Sequence, residues 1–322
     1  SWVKAPSTPI SARLIAAPAA VGDLTEIRAG LEVKLGDGWK TYWRAPGDAG
    51  LPPAVTWKGS ENLAAAEMDY PAPIRFTILG IETVGYAKHV VLPLRLTPAT
   101  PGQPLRLRAE ADLLVCADIC VPEKFALALD LPAGTAQPSP HFTQVARAFS
   151  AIPGDGRAAG LRLESVEAAG AQVRAVVAAD QPLAAPDLFI ETEPYLAFGA
   201  PKVKALGAGR WELRATAADP PKDVNLTSAK LRLTLVDSER SADFTQTAAP
   251  LTALQQDSAP AATGLLAMLG AALLGGLILN VMPCVLPVLS LKLLGAAQYG
   301  GADRGRVRAG FLATAAGIVV SF

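Results

Sequence analysis

Two runs of strict alternation meet at a pair of cysteines, and nothing else in this sequence constrains the fold as tightly. Leu105, Leu107, Ala109, Ala111 and Leu113 alternate with polar residues before Cys116, and Phe125, Leu127, Leu129 and Leu131 repeat the pattern after Cys120. A period of two is that of a β-strand with one buried face, so the cysteines fall where one strand turns into the next. Ile27, Ala29, Leu31, Val33 and Leu35, set among Glu26, Arg28, Glu32 and Lys34, give another such strand. Clusters of Gly, Pro and Asp at 36–38, 46–53, 71–73 and 98–104 punctuate the rest of this region. Several short strands with that spacing predict an antiparallel sandwich.

The closeness of the two cysteines bears on chemistry. In the chain-entropy account a disulfide stabilises by removing loop-closure freedom, so a ring this small contributes only about 2 kcal/mol. A staple normally joins distant segments, whereas neighbouring thiols close into an accessible disulfide that exchanges readily. The redox reading is therefore preferred, with a local structural disulfide, a metal site or two free thiols as alternatives. A structural zinc site needs about four N or S ligands, and besides the thiols the chain offers only His89 and His141, at no ligand-like spacing. Copper(I) held by Cys116, Cys120 and Met68 stays open, because soft ligands suit that ion.

Beyond the cysteines, Pro132 to Pro140 breaks the pattern and reads as a linker, and a short helix is expected over Thr143 to Ser150. Alternation resumes at Leu161 to Leu163, Val173 to Val177, Trp211 to Leu213 and Leu231 to Val236, which predicts a second sandwich without cysteine, a spacer or docking surface. From Gly264 to Leu291 the polar side chains are Asn280 and Ser290 alone, and a second apolar stretch starts at Ala309. About 20 such residues cross a bilayer. Lys292, Arg304, Arg306 and Arg308 follow the first run, so by the positive-inside rule they face the cytoplasm and residues 1 to 260 lie outside it. That compartment permits disulfides. Ser1 in place of Met suggests a removed leader, and Phe322 interrupts the second apolar stretch, as in part of a longer membrane protein.

The expectation is a mainly β chain: two immunoglobulin-like antiparallel β-sandwiches, then the first helices of an α-helical transmembrane domain. The boundaries read as 1–134, a linker with the short helix at 135–154, the second sandwich at 155–248, a linker at 249–263, and the membrane part at 264–322. Lys plus Arg equals Asp plus Glu at 29 each, which argues against nucleic acid as a partner. No Gly-rich phosphate loop, His-Glu-x-x-His or Gly-x-Ser-x-Gly occurs, and no cofactor is expected.

The segment Gly38-Trp39-Lys40-Thr41-Tyr42-Trp43-Arg44-Ala45-Pro46-Gly47-Asp48-Ala49-Gly50-Leu51-Pro52, followed by Pro71-Ala72-Pro73-Ile74-Arg75-Phe76, resembles the N-terminal domain of DsbD-type thiol:disulfide interchange proteins, closest to the ScsB-like branch. Cys116 to Pro122 is similar to that domain's redox loop, and Asn280-Val281-Met282-Pro283-Cys284-Val285-Leu286-Pro287 resembles the first helix of the family's electron-carrying membrane domain. The cysteine spacing is tighter than in the best-known DsbD proteins. The resemblance implies an inner-membrane protein-disulfide reductase that carries electrons from cytoplasmic thioredoxin through a membrane pair including Cys284. They would pass to a thioredoxin-like domain outside this chain, and from Cys116/Cys120 to periplasmic thioredoxin-fold proteins. It further implies that Cys120 forms the mixed disulfides and Cys116 resolves them. The competing class is a membrane-anchored binding module with a structural disulfide.

Residues around the thiols complete the candidate set. Asp118 and Glu123 read as solvated loop charges, or as groups that handle protons during exchange. Pro283 and Pro287 bracket Cys284 and open its helix, which lipid tolerates only where protein or a water-filled cavity satisfies the freed groups. Trp39, Tyr42, Trp43, Trp57, Phe76 and Tyr86 read as sandwich core, some of them shielding the cysteines. Phe76, on an apolar flap over 71–80, is the first candidate for that shielding, and Tyr86 the second.

Overall fold

The computed structural model describes residues 1–78 and 80–251. Cys284, Pro283, Pro287, Asn280, the two apolar stretches and most of the 249–263 linker lie outside the described residues. Among the described residues no helix is long and apolar enough to cross a membrane.

The chain opens with β1 (Val3–Lys4), β2 (Ile10–Ala16), β3 (Ile27–Leu35), β4 (Lys40–Gly47), β5 (Ala54–Thr56) and β6 (Leu63–Met68). It continues with β7 (Ile74–Ile78), β8 (Ile81–Ala87), β9 (His89–Pro98), β10 (Leu105–Cys116), β11 (Cys120–Leu131) and helix α1 (Phe142–Ser150). Then come β12 (Leu161–Ala169), β13 (Gln172–Ala179), β14 (Pro186–Glu191), β15 (Lys202–Gly207) and β16 (Arg210–Thr216). Last are β17 (Lys230–Asp237), β18 (Arg240–Thr247) and β19 (Ala249–Pro250). The described residues are thus mainly β with one short helix.

The first body has two sheets, ordered β1-β2-β3-β9-β6 and β11-β10-β4-β8-β7, with β5 added to β10. One core holds both. Leu14, Leu31, Val33, Leu92 and Leu94 enter it from the first sheet, and Trp43, Val84, Leu107, Leu113, Val115 and Phe125 from the second. The alternation around the cysteines is what builds this: every second residue of β10 and β11 faces the core, and the two strands pair in unbroken register from Leu105↔Leu131 to Cys116↔Cys120. Helix α1 covers the outer face of the first sheet, where Val145 and Ala148 pack on Ile15, Ala17 and Val91. Glu32 is buried under that helix, hydrogen-bonded by Arg13, His89 and Gln144.

The 132–140 segment, expected as a linker, is tied along its length to residues 16–22. Val21 donates to the Pro132 carbonyl, Ala19 to that of Gln137, and the Ser139 hydroxyl to that of Ala16. Backbone groups that would face solvent in a free linker find partners there, and Pro18 and Pro138 form an isolated bridge.

The second body pairs the sheets β15-β16-β13-β12-β19 and β14-β17-β18. Val166, Val173, Val177 and Leu213 from the first meet Leu188, Ile190, Leu233 and Leu235 from the second. Both bodies fall within one compact unit. Phe189 of β14 is buried in the core of the first body, its ring edge-on to Trp43 with centroids 5.6 Å apart.

Candidate active site

Cys116 ends β10, Cys120 begins β11, and Ala117, Asp118 and Ile119 form the hairpin tip between them. Cross-strand neighbours in a non-hydrogen-bonded pair bring their side chains close, and here the Cα atoms are 4.1 Å apart with the two sulfurs joined in a disulfide. The Ala117 amide donates to the Ile119 carbonyl at 3.0 Å and closes the tip.

The two sulfurs differ in access. Cys116 is 0% exposed, whereas Cys120 is exposed beside Ile119, which is 64% exposed. The difference follows from the sheet. Cys116 lies beside β4, whose Lys40 and Thr41 pair with Cys116 and Val115, while β11 is the edge strand of the sheet among the described residues.

Cys116 sits on the outer face of its sheet in a small cluster with buried Tyr42 and Ile78, against which Phe76 and Leu114 pack. The Tyr42 hydroxyl is 2.9 Å from Cys116 Sγ and 3.7 Å from Cys120 Sγ. Burial pushes the Tyr42 phenol up, so the hydroxyl keeps its proton at neutral pH and is the donor to a sulfur that becomes anionic. Two glycines make room here, Gly50 for the Tyr42 ring and Gly85 for the β4 backbone that carries it. A Cβ on Gly50, whose φ is +125°, would lie 2.3 Å from Tyr42 Cε1, and one on Gly85 would lie 1.9 Å from the Thr41 carbonyl oxygen. Lys40 is the register partner of Cys116, and its ammonium stands over the Phe76 ring at 5.4 Å from the centroid.

The other candidates fall on both sides of the sheet. Asp118 is exposed at the hairpin tip. Glu123 is buried, on the core side of β11 and the opposite face from Cys120, where the Thr8 hydroxyl donates to it at 2.8 Å. It is therefore no solvated loop charge: three residues after Cys120, its parity is that of Phe125. Tyr86 also faces the core, with its hydroxyl donating to the Pro71 carbonyl at 2.9 Å. Burial holds its phenol well above the ordinary value. Phe76 alone of the two shielding candidates packs on the cysteine cluster. Met68 packs against the core of the first body from β6, in the other sheet, and among the described residues no group of three His, Cys, Asp or Glu could hold a metal. By sequence Tyr42 is only one of six aromatics read as core, some of them shielding the cysteines, and Lys40 is not marked at all. The signal was parity: Lys40 and Tyr42 alternate with Thr41 and Trp43, and only the latter pair shares a face with Val115.

Comparison with known proteins agrees with this geometry. Residues 11–132 match the family described as thiol:disulfide interchange protein DsbD, N-terminal, and residues 151–251 match a domain of unknown function, DUF8393. The DsbD N-terminal match thus spans nearly the whole of the first body. Among solved structures, the N-terminal periplasmic domain of ScsB from Proteus mirabilis superposes with a TM-score of 0.63 at 24% identity, over 78% of this chain and 98% of that one. That likeness is one of fold and extends across both bodies. A conserved domain protein from Bacillus anthracis aligns over 73% of this chain and 75% of its own at 8% identity, with a TM-score of 0.19, too low to bear on the fold. No curated protein matches.

Proposed function

We propose that Cys116 and Cys120 are the redox pair of a protein-disulfide reductase working by thiol–disulfide exchange, with Cys120 exchanging and Cys116 resolving. The observation that carries this is the asymmetry of the disulfide: one sulfur exposed, the other buried against a tyrosine hydroxyl, on a body that matches the DsbD N-terminal family. When the disulfide receives electrons, a partner thiolate attacks Cys120 Sγ in line with the S–S bond. That bond breaks, its electron pair stays on Cys116 Sγ, and the Tyr42 hydroxyl donates to the new thiolate. The partner's second thiol then attacks the mixed disulfide, leaving both cysteines reduced and the partner oxidised. Delivery to a substrate runs in reverse order: the Cys120 thiolate attacks the substrate disulfide, and Cys116 displaces the reduced substrate.

In this reading both bodies are immunoglobulin-like sandwiches on the periplasmic side of the inner membrane, and thioredoxin-fold proteins are the partners. Electrons would arrive from cytoplasmic thioredoxin through a membrane pair that includes Cys284. The test is trapping: a Cys116→Ala variant expressed in cells should accumulate mixed disulfides through Cys120 with thioredoxin-fold proteins, and a Cys120→Ala variant should not. Absence of such adducts, with a disulfide that resists thioredoxin-like reductants, would leave the binding module with a structural bridge as the better account.

A further inference from the structure

The second body has no cysteine and its matching family has no stated function, yet it holds the two strands that carry the aromatic residues at the disulfide. Phe76 packs on the cysteine cluster from β7, and its neighbour Arg75 is bound from the second body. Asp187 accepts from Arg75 Nε and Nη2, each at 2.9 Å, and the carbonyls of Leu188 and Phe198 accept at 3.2 and 2.8 Å. Glu82 of β8 takes the remaining side of the guanidinium, which also stacks 5.0 Å from the centroid of the Phe189 ring.

β4 is held in the same way. Arg44, two residues after Tyr42, donates from Nε and Nη2 to Glu191 at 3.0 and 2.8 Å, and from Nη2 to Thr234 Oγ1 and Asp243, both at 3.1 Å. The Tyr195 hydroxyl accepts from the Gly47 amide at 2.8 Å and donates to the Gly47 carbonyl at 3.0 Å, fixing the end of the strand. A mere spacer has no need of such contacts, since interfaces between independent domains are loose and polar. Both guanidiniums are instead mostly buried and bonded to several acceptors, an arrangement that fixes orientation as well as distance.

We propose that the second body is a positioning element of the redox site: through Arg75–Asp187 and Arg44–Glu191/Asp243 it holds β7 and β4 so that Phe76 and Tyr42 stay on the Cys116–Cys120 disulfide. This role rests on the redox function proposed for that disulfide, and it consists in keeping small thiols from the Cys116 side of the bridge, so that attack is confined to Cys120 while the cover is in place. Phe76 is held only as well as the backbone of β7, and the fixed point nearest to it is Arg75.

The experiment measures the rate at which dithiothreitol opens Cys116–Cys120 in the purified chain, read by alkylation and mass spectrometry. Asp187→Ala should speed opening about tenfold, because access follows the population of the uncovered state. Asp187→Glu should restore the slow rate. In a Phe76→Ala background, already uncovered, Asp187→Ala should add nothing, a non-additivity that general destabilisation would not produce. Asp180→Ala, which breaks a surface pair with Arg162 in the same body, is the control and should leave the rate unchanged. If Asp187→Ala fails to fold, Asp187→Asn keeps the side-chain shape and is read in the same way. A folded variant that opens at the parent rate, or an equal acceleration with and without Phe76, would overturn the proposal. Failure of the redox function is a separate result: no mixed disulfide with any thioredoxin-fold protein, whatever the rates with dithiothreitol.

Discussion

Replacing Tyr42 by Phe removes one oxygen and keeps the ring that fills the space beside Cys116. In the resting disulfide the hydroxyl faces a neutral sulfur at 2.9 Å, a bond with a net contribution of about 1 kcal/mol. As a nucleophile opens the bridge at Cys120, charge builds on Cys116 in a buried site. A hydrogen bond to a charged group is roughly twice as strong as a neutral one, about 1.5–3 kcal/mol. The difference, about 1.4 kcal/mol, is what Tyr42 contributes to the step, and it corresponds to about tenfold in rate. Sulfur is a weak acceptor, so the orphaned Cys116 adds little penalty, and folding stability should fall by no more than about 1 kcal/mol. The assay is stopped-flow reduction of the purified chain by a thioredoxin-like dithiol, with urea unfolding run alongside. Tyr42→Phe should react about tenfold more slowly with an unchanged unfolding slope. An unchanged rate in a folded variant would refute the role of the hydroxyl, and a faster one would mean that Tyr42 acts only as a cover.

Three further outcomes are expected from the geometry. Gly50→Ala should push the Tyr42 ring off Cys116, since the added Cβ would lie 2.3 Å from Cε1; it should slow reduction as Tyr42→Phe does and cost roughly 1–3 kcal/mol of stability in thermal unfolding. Replacing both Cys116 and Cys120 by Ala should abolish exchange while lowering stability by only about 2 kcal/mol, checked by circular dichroism and urea titration. Acid should destabilise the fold through Glu32, Glu212 and Asp237. Burial raises each carboxyl, but bonds from Arg13, His89 and Gln144 to Glu32, from Arg174 and Arg214 to Glu212, and from two backbone amides and Arg240 to Asp237 outweigh it and hold all three below the ordinary value. Their contribution is complete above the unfolded pKa, near 4.5 for Glu and 3.8 for Asp, and is lost as pH falls through the lower folded values. Stability measured from pH 7 downward should therefore stay flat to about pH 5 and then drop, less steeply in Glu32→Gln.

The strands nearest the cysteines were legible because their period is a local property. Leu105 to Leu113 and Phe125 to Leu131 each carry one buried face whatever lies opposite, and the cysteines between them sit where one strand turns back into the next, with Cys116 facing Cys120 across three residues. The helix at Phe142–Ser150 and the strands at Leu161, Val173, Trp211 and Leu231 were visible for the same reason. Strands such as β14 and β15 were not, since Pro186–Glu191 has an unbroken buried run and Lys202–Gly207 is exposed throughout.

Which residues meet the sulfurs was a different kind of question. Tyr42 is 74 positions from Cys116 in the chain, and the choice between core and cysteine face turns on a one-residue shift in the register of β4 against β10. Glu123 turns inward because it shares the parity of Phe125 on β11, and Cys120 is left at the edge because β11 ends its sheet. Nothing local marks Arg44 and Arg75 as buried, because the carboxylates that hold them, Glu191, Asp243 and Asp187, lie more than 100 residues away. Short-range periodicity and spacing lead from the sequence to the cysteine hairpin and to the expectation of exchange chemistry. Only the tertiary structure decided which sulfur is exposed, which hydroxyl attends the other, and how the second body grips the strands beneath them, because each of these depends on pairings between distant segments that local pattern does not encode.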